Sequence, residues 1–270
     1  MLEESLKTTR RAALGAMAAL TAVTASGAGQ TAQAQAAQKT FVLVHGTWHG
    51  GWCWRRVVDL LESKGHKVYA PTLTGLADRS HLLTKDVNLT THVNDVVNLV
   101  KWEDLRDIVL VGHSSGGFVI TQAAEQIGPS VASIVYLDGF VPEPGDNLIS
   151  LANPGPRKAL EDAVARGDLA AKPVPAAVFK VNEKDRPWVD AKCTPHPLAA
   201  VVEKVTGATA REKIARKTYI RATGFDSPVF NETLAKIKLA PGWKTFEVAS
   251  GHDVMIDHPD RLTEILLEVA

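Results

Sequence analysis

A serine between small residues interrupts an apolar run at residues 110–120, LVGHSSGGFVI. Residues 112–116, GHSSG, match the pattern G-x-S-x-G at the point where a strand-like run changes into a helix-like one. Glycines two positions before and after Ser114 let a strand and a helix approach closely, so the serine hydroxyl points out of a sharp, strained turn. A phosphate-binding loop would need Gly-Lys-Ser/Thr, which the sequence lacks. The pattern therefore predicts Ser114 as a nucleophile that attacks a carbonyl carbon.

A serine hydroxyl is a weak nucleophile unless a base removes its proton. His252 follows the last predicted strand, in the segment EVASGHDVMIDHP at 247–259, and we predict it as that base. A carboxylate must hold the imidazole, and two aspartates follow predicted strands. Asp226 gives the chain order Ser, Asp, His and is favoured, whereas Asp138 follows its strand directly and stays as the alternative acid.

A tetrahedral intermediate needs two backbone N–H donors for its oxyanion. One is expected from Ser115, the residue after the nucleophile, and the other from Thr47, in the turn after the first strand. An uncharged pocket of apolar and aromatic side chains is expected to bind the substrate. The residues predicted to line it are Trp48, Phe118, Phe140, Trp188 and Met255.

Near-continuous apolar strands alternate with helical patterns along most of the chain, which is typical of a parallel sheet covered on both faces. We predict an α/β fold with a mostly parallel six-stranded sheet, in which functional loops follow the carboxyl ends of the strands. The alternation stops at about 140–215, a proline-rich stretch with short helical pieces, predicted to be a small helical cap insertion. The predicted strands lie at 40–46, 66–71, 107–113, 131–139, 216–223 and 243–251.

The first 36 residues differ from the rest of the chain. A basic pair, Arg10-Arg11, precedes a run rich in alanine, leucine and valine, and Ala-Gln-Ala follows at 32–34 and 34–36. This order is typical of an export signal, and the arginine pair resembles a twin-arginine signal. We therefore expect a signal peptide at 1–36, a catalytic domain at 37–270, and a periplasmic or secreted protein.

Overall composition excludes several classes of partner. Thirty basic and thirty acidic residues give a formal net charge of zero, which argues against a nucleic-acid surface. The apolar run near the N-terminus is too short and too rich in alanine for stable membrane insertion. The two cysteines form no C-x-x-C pair and no H-E-x-x-H motif occurs, so no metal and no cofactor are predicted.

The segment at 45–54, HGTWHGGWCW, has the signature H-G-x-x-H-G-x-W-x-W. Together with VGHSSGGFVI and GHDVMIDHPDRLTEILLEVA, it resembles the α/β-hydrolase superfamily, in the branch of plant methylesterases, hydroxynitrile lyases and their bacterial esterase relatives. The resemblance implies Ser114, His252 and an acid as a triad, with the acid falling on Asp226 by position. Lyases of this branch carry a threonine and a lysine where this chain has Gly46 and Asp253, so an esterase is the better implication.

These observations predict a serine carboxylesterase that hydrolyses small, hydrophobic or aromatic esters through an acyl-enzyme. Two alternatives remain open at this point: cleavage of cyanohydrins, and a non-catalytic protein of the same fold that binds a small molecule.

Overall fold

The computed structural model describes residues 37–270, and the predicted export signal at 1–36 lies outside the described residues. A six-stranded sheet runs through the middle of this part of the chain. Its strand order is β2-β1-β3-β4-β7-β8, and every neighbouring pair is parallel, which confirms the predicted fold class. The strands are β1 Thr40–Val44, β2 Lys67–Tyr69, β3 Ile108–His113, β4 Val131–Leu137, β5 Ala170–Ala171, β6 His196–Pro197, β7 Arg216–Ala222 and β8 Trp243–Val248.

Helices follow most strands of the sheet, as right-handed parallel connections require. A short 3₁₀ turn at Gly51–Trp54 leads into the first of them. The helices are α1 Arg55–Ser63, α2 Leu89–Trp102, α3 Gly116–Ile127, α4 Leu148–Leu151, α5 Pro154–Ala165, α6 Arg186–Lys192, α7 Leu198–Val202, α8 Thr209–Lys213, α9 Pro228–Leu239, α10 Val254–Asp257 and α11 Pro259–Glu268.

Local sequence explains where the longer helices begin. The side chain of Asn88 accepts a hydrogen bond from the backbone N–H of Thr91, and the Thr91 hydroxyl accepts one from the backbone N–H of Asn88. Helix α2 therefore starts with a capping box. Helix α9, which the sequence patterns did not predict, starts at Pro228 behind the capping side chain of Ser227.

Two hydrophobic clusters cover the two faces of the sheet. All six residues of β3 are buried, because a central parallel strand is covered on both sides. This explains why the strand reads as a continuous apolar run, and it makes the sheet a rigid base for the loops at its carboxyl edge.

The insertion, residues 140–215, forms helices α4 to α8 and the two-stranded antiparallel ribbon β5-β6, and it adds no strand to the six-stranded sheet. Hydrogen bonds join it to the loops at the carboxyl edge. The indole of Trp48 donates to the carbonyl of Ala171 at 3.0 Å, and the backbone N–H of His252 donates to the carbonyl of Phe179 at 2.8 Å. The insertion therefore packs over the strand ends that carry the predicted chemistry.

Across residues 37–270, no helix combines the length and the hydrophobicity needed to cross a membrane.

Candidate active site

Ser114 lies in the turn between β3 and α3 with a backbone φ of +53°, in the left-handed region that non-glycine residues rarely occupy. Its side chain is half-buried, and its hydroxyl makes no hydrogen bond within residues 37–270. The turn is held by its backbone instead: the N–H of Ser114 donates to the carbonyl of Leu137 at 3.2 Å, and its carbonyl accepts from Phe140 at 3.2 Å. The strain therefore presents a free hydroxyl above the sheet.

The glycines of the motif are required by close backbone contacts. A Cβ on Gly116 would lie 2.8 Å from the carbonyl oxygens of Val44 and His45, and a Cβ on Gly112 would lie 2.8 Å from the carbonyl of Gly116. These separations are too short for any side chain, so the helix and the strand meet as the motif predicts.

The His252 imidazole is buried, and its Nδ1 lies 2.6 Å from Oδ2 of Asp138. Because a carboxylate oxygen accepts, Nδ1 carries the proton, and Nε2 is left with a lone pair. This is the tautomer that a general base needs.

The preference for Asp226 is corrected by this contact, since Asp226 is exposed on the loop after β7 and makes no hydrogen bond within the described chain. Asp138 contacts His252 because it comes directly after β4, where its carboxylate is completely buried next to the loop that carries His252.

A buried arginine holds the other oxygen of the Asp138 carboxylate. Arg221 donates from Nη1 to Oδ1 of Asp138 at 2.6 Å, and the backbone N–H of Ala222 donates to the same oxygen at 3.0 Å. Its remaining nitrogens donate to the carbonyl of Phe225 at 2.6 Å and to the side chain of Asn231 at 3.0 Å. A buried ion pair needs such additional hydrogen bonds to offset its desolvation. Sequence reasoning missed Arg221; the available signal was an arginine within an otherwise apolar strand end.

The turns of Ser114 and His252 are neighbours at the carboxyl edge of the sheet. The rings of His113 and His252 have centroids 4.5 Å apart, and Nε2 of His113 donates to the carbonyl of His252 at 3.1 Å. No hydrogen bond joins the Ser114 hydroxyl to His252 in the described structure. Such bonds are often long before a substrate binds and tighten in the reacting complex.

Three phenylalanines surround the His252 ring, at centroid distances of 5.6 Å for Phe179, 4.6 Å for Phe225 and 5.8 Å for Phe230. Phe230 is stacked on the imidazole, and Phe179 belongs to the insertion. These rings fix the plane of the imidazole and exclude water from it, which strengthens its hydrogen bond to the carboxylate.

Thr47 and Ser115 lie together, as expected for an oxyanion hole. The Thr47 hydroxyl donates to the Ser115 hydroxyl at 2.8 Å, and both residues are buried. Neither backbone N–H has an acceptor within residues 37–270. A Cβ on Gly46 would lie 2.7 Å from the Cβ of Ser114, so this loop passes directly against the nucleophile. Two free donors beside Ser114 can stabilise negative charge on a substrate oxygen.

His45 and His113 act as hydrogen-bonding scaffold. Nδ1 of His45 donates to the carbonyl of Gly46 at 2.9 Å, and Nε2 accepts from the backbone N–H of Leu73 at 3.0 Å. Burial lowers the pKa of His45 to about 3, so the ring is neutral. Burial also holds the pKa of His113 well below its ordinary value, with the neighbouring His252 acting in the same direction.

The predicted pocket residues divide into two groups. Phe118 lines a cavity beside Ser115, Phe140 packs on Phe118 at 5.4 Å, and Trp48 contacts Phe179 at 5.8 Å. The other two, Met255 and Trp188, lie away from this cavity. Met255 is fully buried in a hydrophobic cluster, and Trp188 packs edge-on against another tryptophan, Trp52, with ring centroids 5.0 Å apart.

Cys53 and Cys193 are both free thiols. Within residues 37–270, no group of three histidine, cysteine or acidic side chains is arranged to hold a metal ion.

The residue after His252 forms a second buried pair. Nε2 of His49 lies 3.1 Å from Oδ2 of Asp253, and Nδ1 lies 2.9 Å from the carbonyl of Thr47. Both partners are acceptors, so both ring nitrogens must donate and His49 is an imidazolium. Burial opposes this charge, but Asp253 raises the pKa of His49 above its ordinary value. Burial likewise opposes the carboxylate, yet His49 and the nearby histidines lower the pKa of Asp253 to about 2.

Comparison with known proteins shows which family and which relatives this chain resembles. Residues 41–265 match a family described as the alpha/beta hydrolase family. The carbendazim hydrolyzing esterase of Nocardioides sp. (strain SG-4G) is 41% identical over 239 residues, covering 84% of this chain and 97% of that protein. The putative methylesterase 13, chloroplastic, of Arabidopsis thaliana is 30% identical over 255 residues, which cover 86% of this chain and 56% of that protein.

Among solved structures, the extracellular alpha/beta-hydrolase from a Paenibacillus species superposes with a TM-score of 0.73 at 23% sequence identity. The match covers 86% of this chain and 99% of that one. It supports the fold.

The buried pair of His49 and Asp253 predicts a pH-dependent stability. The His49 pKa is raised in the folded state, so its contribution is complete below the unfolded value of 6.5 and is lost as pH rises through the folded value. The Asp253 pKa is lowered to about 2, so its contribution is complete above the ordinary value of 3.8 and is lost as pH falls towards 2. Denaturant unfolding should show Asp253→Asn costing about 3–5 kcal/mol near pH 5.5 and less near pH 8.5.

The exposed residue Asp260 supplies the control, because Asp260→Asn should leave the unfolding free energy unchanged at both pH values. An equal cost for Asp253→Asn at the two pH values would contradict the charged pair.

Proposed function

The chain belongs to the alpha/beta hydrolase family, and we propose that it is a serine carboxylesterase with Ser114, His252 and Asp138 as its triad. The observation that carries the proposal is the 2.6 Å contact between His252 and Asp138 beside the strained turn of Ser114. The 41% identity to a carbendazim hydrolyzing esterase over nearly the whole of that protein supports ester hydrolysis.

In the first half of the reaction, Nε2 of His252 takes the proton of the Ser114 hydroxyl while the serine oxygen attacks the ester carbonyl carbon. The carbonyl π electrons move to oxygen, and the N–H groups of Thr47 and Ser115 donate to that oxyanion. The intermediate collapses as the bond to the alcohol oxygen breaks. His252 gives its proton to this leaving oxygen, and an acyl-serine remains.

In the second half, His252 takes a proton from a water molecule whose oxygen attacks the acyl carbon. The same two N–H groups hold the second oxyanion. When it collapses, the serine oxygen leaves, takes the proton from His252, and the carboxylic acid is released. The carboxylate of Asp138 stabilises the imidazolium in both halves, and Arg221 keeps that buried carboxylate in place.

The environment of His252 favours ester hydrolysis over cyanohydrin cleavage. The next residue is Asp253, whose carboxylate is occupied by His49, so this position offers no cation to stabilise a departing cyanide.

The proposed substrates are small esters with a hydrophobic or aromatic part. The three phenylalanines around His252 support this class. The names of the relatives, a carbendazim hydrolyzing esterase and a putative methylesterase, are consistent with a compact ester group.

Replacing the nucleophile tests the reaction. Ser114→Ala should lower kcat/KM for p-nitrophenyl acetate by about 10⁴-fold, because no hydroxyl remains to form the acyl-enzyme. It should also abolish labelling by a fluorophosphonate, located by peptide mass. The exposed serine at position 63 provides the control, since Ser63→Ala should keep both properties. Unchanged turnover in Ser114→Ala would reject the nucleophile.

Replacing each aspartate in turn tests the acid. Asp138→Asn should lower kcat by about 10³–10⁴-fold, because an amide cannot hold the same imidazole tautomer. The kcat of Asp226→Asn should stay within about twofold of the wild-type kcat, because that side chain is exposed. Near-UV circular dichroism of both variants separates lost chemistry from lost folding. The reverse order of the two losses would overturn the assignment.

We also propose that residues 1–36 direct export to the periplasm or the medium. The support is the sequence order of basic pair, apolar run and Ala-Gln-Ala. Replacing Arg10 and Arg11 together by lysine keeps the charge but removes the twin-arginine pattern. In fractionated bacterial cells the protein should then remain in the cytoplasm, whereas Lys39→Gln should not alter export. Equal export of the lysine variant would exclude the twin-arginine route.

A further inference from the structure

A small cavity lies directly beside Ser115, between α2, α3 and the insertion. Apolar side chains form most of its wall, among them Leu73, Phe118 and Leu148, and two histidines, His92 and His196, complete it. The volume of this cavity is only about 10 Å³, close to what one water molecule needs, so it admits the end of a substrate arm, such as a hydroxyl group. Ser115 lines the cavity and follows the nucleophile in the chain, so the cavity lies next to the turn that carries Ser114.

His196 is a buried imidazole without a hydrogen bond. It is 4% exposed, Nδ1 is enclosed without a partner, and Nε2 makes no hydrogen bond within residues 37–270. Pro195 and Pro197 flank it, and their fixed backbone angles hold the ring in place. Burial keeps the pKa of His196 well below its ordinary value, so the ring is neutral and offers one donor and one acceptor.

His92 leaves one ring nitrogen unused. Its Nε2 donates to the carbonyl of Thr74 at 2.9 Å, so Nδ1 carries a lone pair and has no partner in the described chain. Burial lowers the pKa of His92 as well, and its ring centroid lies 5.6 Å from that of His196. The pair therefore combines an acceptor on His92 with a donor and an acceptor on His196.

An unpartnered buried polar group destabilises a fold by about 1–3 kcal/mol, so native proteins keep few of them. An apolar side chain at position 196 would not carry this cost. A ligand that enters the cavity and forms a hydrogen bond with His196 would explain why a histidine occupies this position.

We propose that this cavity is a subsite for a small hydroxyl-bearing arm of the ester, and that His196 is its specificity-determining residue, with His92 as the second contact. The inference rests on the proposed esterase function and extends it to a substrate class. A hydroxyl donates one hydrogen bond and accepts another, which matches the free nitrogens of the two rings. A hydrocarbon arm of the same size leaves both imidazoles unpaired and binds less well in the transition state.

Two pairs of nearly isosteric esters test the subsite, one for each arm of the substrate. The acyl pair is p-nitrophenyl glycolate and p-nitrophenyl propionate. The alcohol pair is 2-hydroxyethyl benzoate and n-propyl benzoate. In each pair a hydroxyl replaces a methyl group, so the ratio of the two kcat/KM values measures the preference for the hydroxyl ester. Dividing the ratio of the variant by that of the wild type cancels the intrinsic reactivity of the two esters.

His196→Leu should reduce this ratio by about 10-fold or more for the arm that enters the cavity, through loss of turnover of the hydroxyl ester alone. Its melting temperature should equal or exceed that of the wild type, because the unpartnered group is gone. His196→Asn, which keeps a donor and an acceptor, should restore part of the ratio. The exposed histidine at position 258 provides the control, since His258→Leu should leave the ratio unchanged.

The inference is overturned if His196→Leu changes both members of each pair by the same factor, or changes neither. Its failure is distinct from failure of the esterase proposal: turnover that depends on Ser114 with an unaffected ratio rejects the subsite alone. Absence of any turnover that depends on Ser114 rejects the esterase, and the subsite with it.

Discussion

The site depends on one buried carboxylate. Asp138 uses one oxygen for Nδ1 of His252 and the other for Arg221 and the backbone of Ala222. These contacts join the ends of β4 and β7 to the loop after β8, so a single side chain sets the distance between three strand ends. Removal of Arg221 would leave the buried carboxylate without its countercharge. The same charge balance keeps His252 in the tautomer that leaves Nε2 free.

Two strained backbone turns lie at the carboxyl edge of the sheet, at Asp138 itself and at Ser114. Ser114 and Asp138 follow adjacent strands, and both have positive φ angles, +53° and +39°. Each is locked by backbone hydrogen bonds: Ser114 to Leu137 at 3.2 Å, and Asp138 to Ile220 at 2.6 Å. Glycine would relieve the strain but would remove the hydroxyl or the carboxylate. The buried parallel sheet supplies the rigidity that holds both turns, and this links the apolar core to the chemistry.

Predictions from sequence succeeded where a local pattern has a steric cause. The glycines around Ser114 predicted a strand–turn–helix junction, and the apolar runs predicted the parallel sheet. The sequence did not decide between Asp138 and Asp226, because both follow strands, and spacing along the chain does not reveal which carboxylate is buried against His252. Residue type alone also does not distinguish a side chain that contacts the site from one that packs in the core, as shown by Arg221, Trp188 and Met255.

Sequence by itself determined the order of the six strands of the main sheet, the turn that holds Ser114, and the placement of His252 after the last strand, because periodicity and glycine positions are local properties. Only the tertiary structure decided which aspartate meets His252, that His49 is charged beside Asp253, and that His196 faces a cavity without a partner. Those outcomes depend on burial and on which acceptors surround each nitrogen. Such surroundings are made by residues far apart in the chain, and they exist only once the sheet and the insertion have packed together.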